Sequence, residues 1–236
     1  MVVKRWMVAA CTVLATSAAT ADVRPAPQEP TKTAVLDMGP GCRIKLQVPS
    51  VAEYGAVGPK PGYEGEGGIT IENPLNLKRK TYIEPLYLRF FCHDADVEAL
   101  SRGRPVGFDP IKRRWVRDME KLYESYGYEL DPEFKRTLDR AVRFFELRSV
   151  NATGYAVTQD DVIGDERGRR RVLDYCLFHK AKAVCSSFDT RMGYVPDIRR
   201  NPKNDLTPYA LKILRSIEFL EPPAQAAPAA SEPASQ

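Results

Sequence analysis

Between residues 42 and 48, apolar and polar side chains alternate. Cys42, Ile44, Leu46 and Val48 interleave with Arg43, Lys45 and Gln47. A period of two predicts a half-buried strand, which Pro49 stops. Residues 51–68 are glycine-rich with two prolines and read as a long loop of the kind that often carries function. Ile69–Glu72 reads as a short strand. Tyr82–Cys92 (YIEPLYLRFFC) reads as another, with Pro85 marking a bulge or an edge. The period then changes. Ile111, Trp115, Met119, Leu122 and Tyr126 recur at helical spacing between Pro110 and Gly127. Asp131 reads as an N-cap and Pro132 as a first-turn residue, with Phe134, Leu138, Ala141 and Phe145 on one face. The short link at 127–130 predicts an antiparallel helical hairpin over 111–148.

Strand character returns at Ala152–Thr158. Residues 159–171 are dense in charge and read as the tip of a long hairpin, with turns at Gly164 and Gly168. Folding Val172–Phe188 about Lys180-Ala181 sets Leu173 against Phe188, Tyr175 against Ser186, Cys176 against Cys185 and Leu177 against Val184. The apolar partners then share a face. A closing helix over 207–218 follows, capped by Asp205 or Thr207, with Pro208 in its first turn. Leu206, Ala210, Leu211, Ile213, Leu214 and Ile217 form its apolar stripe. The order of elements predicts an α+β domain: an antiparallel sheet with helices packed on it.

The ends differ from this middle. Met1–Arg5 is basic, Trp6–Ala18 is apolar and small, and Ala19-Thr20-Ala21 is a small-x-small triplet. This predicts a signal peptide at 1–21, cleaved after Ala21, and export to the periplasm. A membrane anchor fits less well, because the apolar run is shorter than the ~20 residues of a span. Val8-Ala9-Ala10-Cys11 offers lipidation at Cys11 as a minor alternative. Residues 22–33 read as a flexible linker. Residues 222–236 contain only Pro, Ala, Gln, Ser and Glu and read as a disordered tail. One domain is expected over 34–221.

Four cysteines remain after the leader, an even number, and no Cys-x-x-Cys pair favours a metal site. In the 172–188 hairpin Cys176 and Cys185 fall on a non-hydrogen-bonded pair, with Cα atoms about 4.5 Å apart, a distance a disulfide accepts. Cys176–Cys185 is expected, and Cys42–Cys92 by elimination.

Composition is that of an ordinary globular chain, 28% charged and 43% hydrophobic, with a formal charge of +4 that falls by two when Lys4 and Arg5 leave. This disfavours a nucleic-acid binder. Candidate chemistry is sparse. His93 stands beside Asp94, but neighbouring strand residues point to opposite faces, so a polar strand end is the expectation. His179 reads as an exposed turn residue. Ser186 and Ser187 lack a nucleophile elbow. The glycines before residue 69 lack the Lys-Ser/Thr of a phosphate loop. Asp160, Asp161, Asp165 and Glu166 lack calcium-loop spacing and adjoin Arg167, Arg169, Arg170 and Arg171. Asn151-Ala152-Thr153 matches the glycosylation pattern. No catalytic residue, metal or cofactor is expected, and weight shifts to binding. The expected contact surfaces are the 51–68 loop, with Tyr63, Glu64 and Glu66, and the charged tip, with Asp160, Asp161, Asp165, Glu166, Arg169 and Arg170.

RRRVLDYCLFHKAKAVCSSFDTRMGYV and LTPYALKILRSIEFL resemble the closing part of small exported proteins of the PsbP/Mog1-like kind, and CRIKLQVPS is similar to their opening strand. The same bridged hairpin and helix also resemble periplasmic immunity proteins that accompany type VI secretion effectors of the lipase class. The likeness covers roughly 170–220. It implies a protein without enzymatic activity that neutralises a cognate secreted effector by binding it. The alternative class is an envelope accessory protein that binds lipid, peptidoglycan or an assembly complex. The third is a hydrolase built on His93 and Asp94.

Overall fold

A computed structural model describes residues 30–75, 85–186 and 190–221. The expected leader, most of the linker, the 222–236 tail, residues 82–84 of the strand at 82–92, and Ser187 and Phe188 lie outside the described residues.

Strands β1 (Thr31–Asp37) and β2 (Arg43–Pro49) pair antiparallel. In β2 the period-two reading holds, with Ile44, Leu46 and Val48 fully buried. β1 begins inside the stretch read as linker. Ala34 and Leu36 point inward, a period the Pro-rich surroundings conceal. The loop at 51–68 is itself a hairpin. β3 (Glu53–Val57) pairs with β4 (Glu66–Ile71), and only its tip is irregular. β5 (Leu86–Asp94) starts directly after Pro85, where a missing N–H costs nothing.

The expected helical hairpin over 111–148 is corrected. After α1 (Val97–Ser101), β6 (Val106–Asp109) and β7 (Arg114–Arg117) form a hairpin. The Asp109 carboxylate accepts from the backbone N–H of Ile111 and of Lys112, both at 3.0 Å, and Arg113 takes φ +49°. That turn prevents a helix, and Ile111 ends 92% exposed. Helix is confined to α2 (Met119–Ser125) and α3 (Pro132–Ala141). Asp131 caps α3 as expected, accepting from Glu133 and Phe134 N–H at 2.9 Å. The β-branched and aromatic run VRFFELR then forms β8 (Val142–Arg148), so Phe145 lies on a strand.

β9 (Thr153–Asp160) pairs antiparallel with β10 (Arg170–His179), and β10 with β11 (Lys182–Cys185) follows the expected register, Cys176 facing Cys185 and Leu177 facing Val184. Farther out, Leu173 pairs with Thr190 of β12 (Thr190–Tyr194). The chain continues through α4 (Val195–Arg200) and α5 (Thr207–Arg215), which stops short of residue 218. The last described strand, β13 (Glu218–Phe219), pairs with β2.

The result is an α+β fold. A large antiparallel sheet runs in the order β3-β4-β5-β11-β10-β9-β8, with β12 also on β10. The β1-β2-β13 sheet and α5 cover one face around Leu36, Ile44, Leu88, Phe90, Tyr175 and Leu214. On the other face β6, β7 and α2 cover β8–β11, with Trp115 stacked on Phe178 at 4.9 Å. Among the described residues no helix is long and apolar enough to cross a membrane.

Two disulfides staple these layers. Cys42–Cys92 joins the small sheet to the large one, with Cα atoms 5.8 Å apart. Cys176–Cys185 spans β10 and β11 at 4.0 Å. Their sequence separations are 50 and 9 residues, so chain entropy favours the first. Cys42→Ser/Cys92→Ser is expected to lower unfolding free energy by about 4 kcal/mol, and Cys176→Ser/Cys185→Ser by about 2.5 kcal/mol. Urea titrations of the two double variants check the order.

Candidate functional site

The covers do not span the whole large sheet. Registers place Glu53, Gly55 and Val57 of β3, Glu66, Gly68 and Thr70 of β4, and Tyr87, Arg89, Phe91 and His93 of β5 on one face. This is the face that β6, β7 and α2 cover farther along. Over β3–β5 they leave it open: Tyr87 is 51% exposed and Val57 56%. Directly beneath, Leu86, Leu88, Phe90, Ile69 and Ile71 are buried. The strands are therefore rigid from below and open above.

Two of the charged groups of this face, Arg89 and His93, have acidic partners. Arg89 donates to Glu66 from Nε at 2.9 Å and from Nη2 at 2.5 Å, and its guanidinium lies 5.1 Å over the Phe91 ring. His93 Nδ1 is 2.9 Å from Glu64 on the hairpin tip. From the buried side the Tyr175 hydroxyl donates to the Arg89 carbonyl at 2.9 Å. Burial pushes that hydroxyl well above the ordinary tyrosine range. Tyr63, at the tip, is 77% exposed. Tyr63, Glu64 and Glu66 thus belong to one surface with Tyr87, Arg89 and Phe91, which the sequence reading did not single out. The signal was present in LYLRFF, where alternation sets Tyr87, Arg89 and Phe91 opposite Leu86, Leu88 and Phe90.

Loop β1–β2 buttresses the hairpin tip. Gly39 has φ +107°, and a Cβ there would come within 2.5 Å of Pro59. A side chain at Gly39 would push the tip away.

The charged hairpin tip lies elsewhere. β4 and β5 run so that Glu66 and Asp94 mark one end of the sheet, while Asp160 and Arg171 mark the other. Ten residues of β10 separate these ends, roughly 30 Å. The two expected contact regions are therefore not brought together. The charges of the second are largely engaged internally. Arg171, 3% exposed, donates to Asp160 at 2.6 and 2.8 Å and to Asp205 at 2.7 Å. Asp161 accepts from the Arg170 N–H at 2.9 Å, and Asp165 from the Arg167 N–H at 3.0 Å. Glu166 pairs with Arg199 at 3.3 Å, Arg169 donates to the Gly164 carbonyl at 3.3 and 3.1 Å, and Arg170 lies over Tyr194 at 5.5 Å. These side chains build the loop.

Other candidate groups are also held. Asp94 bonds Lys182 at 2.7 Å on the face opposite His93, so the two form no dyad. The Lys182 ammonium holds the Asp94 carboxyl below the usual carboxylate range. Its contribution to folding is complete above about pH 4 and fades as the carboxyl protonates below that. His179 is not an exposed turn residue. It stacks on Phe219 at 5.0 Å, with Nδ1 2.7 Å from the Asn151 carbonyl. Asn151 grips the Phe219 backbone with both ends of its amide, donating and accepting at 2.9 Å. Ser186 is buried, bonded to Asp174 at 2.5 Å, and Arg104 closes the other side of that carboxylate. No protein-family model, no curated protein and no solved structure matches the chain.

Two arginines make a contrasting pair. Arg171→Ala strands two carboxylates and is expected to cost about 3–5 kcal/mol. Arg89→Ala loses an exposed ion pair and an exposed cation–π contact, about 0.5–2 kcal/mol. Denaturant unfolding of both variants measures the difference.

Proposed function

We propose that the chain is an exported periplasmic binding protein without catalytic activity, an immunity protein that neutralises a type VI secretion effector by occupying its surface. The observation that carries this reading is the open face over β3–β5. Tyr63 and Tyr87 are exposed and Phe91 half-buried on a scaffold made rigid by the core beneath it and the nearby Cys42–Cys92 bridge. Arg and Tyr on a rigid, preorganised surface are the residue types that anchor protein interfaces. The leader-like start and the C-terminal resemblance support the same reading, and its contact surface contracts to the β3–β5 face with Tyr63, Glu64 and Glu66.

A cavity of about 360 Å³ between β2 and α5 supports the second reading, an envelope accessory protein that binds lipid. Val48, Pro49 and Ile213 give it apolar walls, and Tyr209 and Lys212 give it polar ones.

The test is co-purification with the product of a neighbouring effector gene, together with survival of cells expressing that effector. The immunity reading expects a complex with Kd below about 1 µM. Tyr87→Ala/Arg89→Glu should weaken it at least about tenfold while the protein stays folded. No complex at micromolar concentration and no protection refutes the reading, and lipid retained through purification transfers support to the second.

A further inference from the structure

We propose that the tip of the β6–β7 hairpin docks on an anionic lipid bilayer, with Ile111 entering the acyl boundary and Lys112, Arg113 and Arg114 meeting lipid phosphates. This goes beyond the proposed function. It uses neither the β3–β5 face nor the cavity beside α5, and it holds whatever those bind.

Residues 110–113 join the two strands. The Asp109 carboxylate closes this turn on the N–H groups of Ile111 and Lys112. Ile111 is 92% exposed, the highest value among the large apolar side chains of the described residues. Phe108, one position before Asp109, is 39% exposed. A turn that only reverses the chain needs no apolar group at its apex. Lys112, Arg113 and Arg114 are exposed as well. Arg113 holds φ +49°, a left-handed conformation that Gly adopts without strain. The tip therefore keeps a cation where local backbone energetics favour glycine.

Charge decides the occupant. Asp109, the only acid of the tip, is engaged by the turn and lies 3.7 Å from Lys112 Nζ. Among the described residues no carboxylate forms an ion pair with Arg113 or Arg114. Trp115 stacks on Phe178, whose ladder neighbours are Thr153 and, one strand on, Arg148, so the tip lies at that end of the large sheet. Acids at this end have partners of their own. Glu146 pairs with Arg148, Asp94 with Lys182 and Glu221 with Lys180. Asp96 caps α1, and Glu98 shares a cleft with Arg102 and Lys121. Glu66 marks the same end, but β4 stands three strands from β10, roughly 15 Å away. The surplus at the tip is thus positive. Protein interfaces deplete Lys at their centre and bury a broader apolar patch. A single apolar prong followed by cations fits a surface with phosphate outside and hydrocarbon beneath.

Vesicle co-sedimentation of the purified chain tests this, comparing phosphatidylglycerol/phosphatidylcholine vesicles with phosphatidylcholine alone. One Ile and three cations match a single acyl anchor in order of magnitude, so half-binding to the anionic vesicles is expected near about 0.1 mM accessible lipid. The excess over neutral vesicles should shrink as salt rises. Ile111→Asp should weaken binding at least about tenfold, and Lys112→Gln or Arg114→Gln about fivefold each. Arg113→Gly should also weaken it about fivefold while the melting temperature holds or rises, because the backbone strain is relieved. These variants share every other segment with the wild type, so they separate the tip from the apolar stretch at 6–18. No binding at about 1 mM lipid, no excess on the anionic vesicles, or binding unmoved by Ile111→Asp and the cation variants overturns the proposal. Capture of a protein through the tip, with vesicles left unbound, overturns it too.

Discussion

Strand β10 sets the terms for the rest of the molecule. β9 pairs along one side of it, β11 and then β12 along the other, and both of its faces are covered. Water cannot satisfy a polar side chain there, so a buried charge needs a partner from the chain itself. Arg171 meets Asp160 and Asp205, and Asp174 meets Arg104 and Ser186. A slip of one residue would turn Leu173, Tyr175 and Leu177 to the wrong face and strip every one of those pairs. The charges hold register, and they tie the strand to β9, to the segment before β6 and to the start of α5.

The parts legible from sequence are those whose decisive contacts are local. The β10–β11 hairpin closes on itself within a few residues, so alternation and the turn fix the pairing of Cys176 with Cys185. The cap of α3 is equally local, since Asp131 bonds its own next turn. The 111–148 region misleads because helical spacing from Ile111 to Tyr126 is a coincidence. Trp115 is placed by Phe178 and Tyr155, far away in sequence, and Ile111 packs on nothing. The charged tip misleads in another way. Composition shows the blocks of opposite sign, but only the fold shows that Arg171 spends its charge inside.

The open surface follows from unequal widths. The large sheet extends through β5, β4 and β3 beyond the reach of β6, β7 and α2, while the small sheet covers it from the other side. Alternation in LYLRFF reveals two faces, yet which one stays bare depends on where the β6–β7 hairpin lands, and that is a long-range fact. The result is a half-covered wing, backed on its underside by the buried Ile69, Ile71, Leu86, Leu88 and Phe90.

β13 has a consequence for the order of assembly. It adds to β2, nearly at the opposite end of the chain, and Asn151 and His179 seat it there. β2 therefore keeps one bare edge until residues 218–219 reach it, so the small sheet is completed by a segment far along the chain and its third strand is a late addition.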